Sequence, residues 1–115
     1  MNYSDAFWEA VDKLVSEGKT VIDRPAGSRH PRYPDVIYKL DYGYIENTSS
    51  MDGAGIDVWR GSMEDGRVCG IIVTVDLVKR DSEIKLLIGC TEAEMDIALN
   101  FHNRTSFMKG ILIKR

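Results

Sequence analysis

The chain has 115 residues, 43% of them hydrophobic and 29% charged, with a formal net charge of −3. That is material for a single domain spanning residues 1–115, and the balance excludes a disordered polymer. No apolar run is long enough for a membrane-spanning helix, and the acidic balance argues against general electrostatic binding to nucleic acid or to an anionic membrane. The start of the chain carries acids early and no apolar core of a signal peptide, which points to the cytoplasm.

In chain order, Ser4 can cap a helix whose apolar positions Phe7, Val11, Leu14 and Val15 fall on one face, and Gly18 ends it as a left-handed residue. Thr20–Asp23 reads as a short strand. Residues 24–35 hold all three prolines, Gly27, three arginines (Arg24, Arg29 and Arg32) and His30, and form a loop. Val36–Tyr38, Tyr42–Ile45 and Ile56–Trp59 read as strands, with a polar loop between the last two. Val68–Val78 is long and β-branched, as a central strand is. Lys79–Glu83 reads as a charged turn and Ile84–Ile88 as the hairpin partner. Thr91 with Glu94 predicts a capping box at the start of a second helix, which carries Met95, Ala98, Leu99 and His102 on one face. Ile111–Ile113 closes the list as a short strand. Five or six strands with an N-terminal and a C-terminal helix predict an α+β domain built as a small closed or partly closed β-barrel.

Chemistry concentrates in three places. Asp52 and Asp57 lie five residues apart across a glycine-rich turn, so a loop and the strand after it can aim two carboxylates at one point, the donor type that hard divalent cations require. Read alone, the pair is an ordinary surface turn. Asp81 and Glu83, followed by Lys85, form a second acidic cluster, whose meaning depends on meeting the first in space. The arginines around His30 offer planar, bidentate donors suited to phosphate. Tyr42 and Tyr44 share one face of an extended chain, and Trp8 and Trp59 read as packing residues. Cys69 and Cys90 make neither a CxxC pair nor a metal-ligand spacing, and read as reduced and buried. His30 and His102 lack a partner histidine at zinc spacing. There is no GxSxG, P-loop or GxGxxG pattern.

Together, Tyr38-Lys39-Leu40-Asp41-Tyr42-Gly43-Tyr44-Ile45-Glu46-Asn47-Thr48 and Asp52-Gly53-Ala54-Gly55-Ile56-Asp57-Val58 resemble the signature region of the soluble, family I inorganic pyrophosphatases, with the spacing between the two blocks preserved. Asp81, Glu83 and Lys85 resemble that family's later acidic hairpin, and Asp23 with Pro25 the acid-x-proline of its first strand. The resemblance implies an OB-type β-barrel, Mg²⁺ as cofactor with Mn²⁺ as a substitute, and hydrolysis of pyrophosphate or a related phosphate anhydride. It implies that Asp52, Asp57, Asp81, Glu83 and Asp23 hold metal. It further implies that Tyr42 and Lys85 contact the reacting phosphate, with Tyr38, Arg29 and Arg32 on the substrate. Catalysis would rest on Asp52, Tyr42 and Lys85. One departure bears on rate: Ala54 stands where the family has an acidic general base. The alternative to a slow enzyme is a module that binds metal-pyrophosphate or a nucleoside diphosphate without turnover. A homo-oligomer is compatible with either.

Overall fold

The computed structural model describes residues 3–50 and 53–115. The elements follow in the order α1 (Tyr3–Glu17), β1 (Thr20–Arg24), β2 (Asp41–Ile45), β3 (Ile56–Arg60), β4 (Val68–Asp76), β5 (Asp81–Ile88), α2 (Glu92–Phe101) and β6 (Met108–Lys114). The strands form one six-stranded sheet in the order β1-β2-β3-β5-β4-β6. Neighbours are antiparallel except β3 and β5, which run parallel. The α+β class holds, but the sheet is open. Strands β1 and β6 are its two edges and do not pair, so the expected closed barrel is not formed. β1 has only five residues, and its register breaks between Ile22 and Arg24; such a short, irregular edge does not recruit a further strand. Among the described residues, no helix is long and apolar enough to cross a membrane.

Alternation along the strands divides the molecule into two faces. On one face Ile45, Val58, Val68, Ile71, Leu86 and Ile88 pack beneath Trp8 and Val11 of α1. On the other, Tyr38, Leu40, Tyr42, Trp59, Ile72 and Leu87 pack with Met95 and Ala98 of α2. The stripe that α1 buries is turned from the expected one. Trp8 and Val11 are buried and Val15 packs beside them, whereas Phe7 and Leu14 flank the stripe and stay exposed. The helix already includes Ser4, which therefore sits in its first turn and not at its cap. Gly18 follows the helix without a positive φ; what excludes a side chain there is space, since a Cβ would stand 2.5 Å from Ile45 Cγ2.

The capping box of α2 forms as expected, with Thr91 Oγ1 accepting from the Glu94 N–H and the Glu94 carboxylate accepting from the Thr91 N–H. Val36–Tyr38 makes only one bridge, Ile37 to Arg29, inside a narrow loop held by hydrogen bonds between Gly27 and Tyr38 and between His30 and Val36. The β4–β5 turn falls earlier than expected. Asp76 Oδ1 accepts from the N–H groups of Val78 and Lys79, and Arg80 takes a positive φ of 59°. The turn is thus complete by Arg80, and Asp81, Glu83 and Lys85 become alternate residues of a strand. At Gly43 a Cβ would meet Val21 O at 1.8 Å, so the glycine between the two tyrosines is what lets β1 approach β2.

Candidate functional site: a cleft around Lys85

A cleft of about 730 Å³ opens on the α2 side of the sheet. At its floor, the register that sets Val58 beside Leu86 also brings Asp57 of β3 next to Lys85 of β5. Lys85 Nζ donates to Asp57 Oδ2 and to Glu83 Oε2, each at 2.7 Å. Tyr42 of β2 donates its hydroxyl to the same Asp57 oxygen at 2.5 Å. Two carboxylates therefore converge on one buried ammonium, and the second oxygen of each stays outside these pairs. Burial works against the charge on Lys85, but Asp57 and Glu83 outweigh it and hold the ammonium above its ordinary range. Burial, reinforced by the Asp57 charge, pushes the Tyr42 phenol well up, so it remains a neutral donor.

The upper wall is cationic and aromatic. Arg24 donates to the Tyr38 hydroxyl and lies over the Tyr38 ring. Burial raises the Tyr38 phenol, although Arg24 opposes the shift. Arg104 covers Phe101, 4.5 Å from the ring centre. The Arg32 side chain lines the cleft without a hydrogen bond or ion pair among the described residues. His30 reports their combined field: burial first, then the charges of Arg24, Arg104 and Arg32, depress its imidazole.

His102, at the end of α2, is 4% exposed and also lines the cleft. Its Nε2 accepts from Trp59 Nε1 at 2.9 Å. An indole N–H can only donate, so the imidazole proton sits on Nδ1, which has no partner among the described residues. Burial, then the charges of Lys85 and Arg104, brings this imidazole down to about 3, so it is neutral at physiological pH.

The cleft thus gathers Tyr38, Tyr42, Asp57, Glu83, Lys85, Arg32 and Asp23 from the residues singled out by sequence, and Ala54 lines it as well. Two others do not line it. Arg29 spends its guanidinium on Pro34 O at 2.8 Å and clamps its own loop. Asp81 stands opposite Asp76 at the far end of the hairpin. Asp52 lies outside the described residues. Of the two free cysteines, Cys90 is buried and Cys69 only half-buried, which corrects the expectation that both are buried. Sequence reading passed over Asp76 and Arg104, placed His102 on the α2 face without a part in the site, and counted Arg24 only among the loop arginines suited to phosphate. Asp76 was within reach, because it continues the two-residue alternation of Ile72 and Thr74 on the cleft face and is buried. Arg104 follows α2 in an irregular segment, and no periodicity marks it.

The donor set is oxygen, as a hard divalent cation requires. Among the described residues, no three carboxylate, imidazole or thiol groups converge as a complete metal cage. Mg²⁺ typically takes only one or two carboxylates, with water and substrate phosphate completing its shell, so Asp57 and Glu83 with their second oxygens fit that pattern. No protein-family model matches the chain and no curated protein matches it, so the meaning of this cleft rests on its own residues and geometry.

Proposed function

We propose that the chain is a cytoplasmic, Mg²⁺-dependent hydrolase that splits inorganic pyrophosphate into two phosphates. The observation that carries this reading is the meeting of Asp57 and Glu83 on one buried ammonium, beneath a wall holding Arg24, Arg32 and Arg104. Acids that suit a divalent cation and guanidiniums that suit phosphoryl oxygens then share one cleft. The same reading takes the open sheet as a relative of the OB-type barrel that the sequence resemblance implies.

In this mechanism Asp57 and Glu83, with Asp52 as the sequence resemblance implies, would hold the cation. When bound, such an ion acidifies a water and offsets phosphate charge. Lys85 keeps the two carboxylates together before substrate arrives, and the Tyr42 hydroxyl fixes the orientation of Asp57. Arg32, free to turn, takes one phosphoryl group in a bidentate contact. Arg24 and Arg104 supply fixed positive charge around the other. The neutral His102 offers its Nδ1–H to a phosphoryl oxygen. Water attacks one phosphorus in line, and the cationic wall stabilises the charge that develops on the leaving phosphate. The methyl group of Ala54 cannot accept the proton from that water, which makes turnover slow.

The test is phosphate release from pyrophosphate with Mg²⁺ or Mn²⁺, comparing the natural chain with Ala54→Asp. A restored general base is expected to raise the rate by ~10²–10⁴. No release from either protein overturns the enzymatic reading. Ala54 itself favours a second reading, a module that binds metal-pyrophosphate without splitting it. Titration calorimetry giving binding heat with no phosphate formed would select that reading.

A further inference from the structure

The cleft is larger and more aromatic than bare pyrophosphate requires. Its volume of about 730 Å³ falls in the range of about 300–1,000 Å³ typical of pockets for drug-sized ligands, and pyrophosphate is far smaller than such a ligand. Lys85 and the acids that suit a metal-bound diphosphate lie at its floor. From there a chain of rings climbs to the mouth. Tyr42 is 5.3 Å from Tyr38, Tyr38 stacks on His30 at 6.0 Å with an angle of 10°, and His30 meets Tyr33 at 5.1 Å. Tyr42 and Tyr38 are buried, and their hydroxyls are engaged. Tyr33 differs: it lines the cleft, yet it is 49% exposed.

The backbone beneath that ring is nonetheless fixed. His30 Nδ1 accepts from the N–H groups of Arg32 and Tyr33 at 3.0 and 3.2 Å, and the Tyr33 carbonyl accepts from the Val36 N–H at 2.9 Å. Pro31 and Pro34 flank Arg32 and Tyr33 and restrict the chain further. A flat ring held in advance, open to solvent on a cleft wall, is a platform on which a planar π-system stacks at little ordering cost.

We propose that the cleft takes nucleoside diphosphates as substrates, with the diphosphate over the Lys85 floor and the base stacked on Tyr33. The inference rests on the hydrolase reading above and names its substrate class. Every base has a π-face, so this contact selects a base over no base and not one base over another. Arg32, the neighbour of Tyr33 in the loop, offers its guanidinium to the phosphate that carries the ribose. Water attacks the β-phosphorus in line. A new P–O bond forms as the bridging P–O bond breaks, the bridging oxygen leaves on the nucleoside monophosphate, and the water's proton passes to solvent. The products are a nucleoside monophosphate and phosphate.

The experiment uses the full chain and Ala54→Asp with Mg²⁺ and three probes: pyrophosphate, methyl diphosphate and ADP. Calorimetry reads affinity, and chromatography with a phosphate assay reads cleavage. ADP should bind about tenfold or more tightly than methyl diphosphate, and AMP and phosphate should form from it. Tyr33→Ala should lower ADP affinity about tenfold more than pyrophosphate affinity, and Tyr33→Trp should retain the ADP advantage. Pyrophosphate cleaved while ADP gains nothing over methyl diphosphate, or while bound ADP stays intact, overturns this inference and leaves the hydrolase reading standing. Equal losses for ADP and pyrophosphate in Tyr33→Ala also overturn it. Failure of all three probes to bind overturns both. Should Tyr33→Ala fail to fold, the ratio of ADP to methyl diphosphate affinity in the natural chain decides it.

Discussion

The two faces of the sheet are built from the same strands and differ in kind. Leu86 and Lys85 are adjacent in β5, yet one lies in an aliphatic layer under α1 and the other at the floor of a polar cleft. Val58 and Asp57 divide in the same way on β3. Among the described residues, the buried cluster of the α1 face contains no charged side chain. The α2 face buries Thr74, Asp76, Lys85 and His102 among aromatic rings. The comparison teaches that one face supplies cohesion through volume, while the other spends part of its burial on holding charged groups where an anion and a cation can meet them.

The largest effect expected is at Lys85. Lys85→Met leaves Asp57 and Glu83 facing each other without a countercharge, and breaking a buried ion pair of this type costs about 3–5 kcal/mol. Denaturant unfolding should register that loss. Millimolar Mg²⁺ should raise the melting temperature of this variant more than that of the natural chain, because the cation relieves the repulsion. An unchanged midpoint in Lys85→Met would break the contrast between the faces. Its neighbour offers the control. Leu86→Ala should cost about 2–5 kcal/mol through a cavity under α1, yet leave pyrophosphate binding per folded molecule unchanged.

A smaller effect comes from pH. His102 has its imidazole depressed from 6.5 to about 3, so in that window the unfolded chain binds a proton that the folded chain refuses. Its contribution is complete above pH 6.5 and is lost as pH falls toward about 3, at about 1.4 kcal/mol per pH unit. His102→Gln can still accept from Trp59, and should remove that slope from the unfolding free energy measured between these pH values. The smallest change in stability belongs to Arg32→Ala, expected to stay within about 0.5 kcal/mol because its guanidinium has no hydrogen bond or ion pair among the described residues. Pyrophosphate affinity measured by calorimetry should nevertheless fall. Equal affinity would remove Arg32 from the anion site.

Much of the local structure was legible in the residues. The capping box at Thr91 and Glu94, the β-branched run that became β4 and the tyrosines flanking Gly43 all carry signals within a few residues of themselves. Errors arose where a local signal competed with a tertiary one. Phe7 has the same apolar character as Trp8, and only the position of the sheet decided which of them was buried. Asp81 shares the cleft-facing alternation with Glu83, but the turn completed by Arg80 leaves it beyond the cleft. Arg29 resembles Arg32 in every local respect, and the path of its loop turned it onto Pro34.

The sequence by itself determined which residues alternate, where both helices and most of the strands run, and that acids, tyrosines and arginines would be available on the same short chain. Local periodicity and capping suffice for that, because each depends on neighbours two to four residues away. Only the tertiary structure decided that β3 lies parallel to β5, that the sheet stays open, and that Arg24, Arg32, Arg104 and His102 meet above Lys85. Strand order depends on which faces bury one another across the whole domain, and no short stretch of residues encodes that contact.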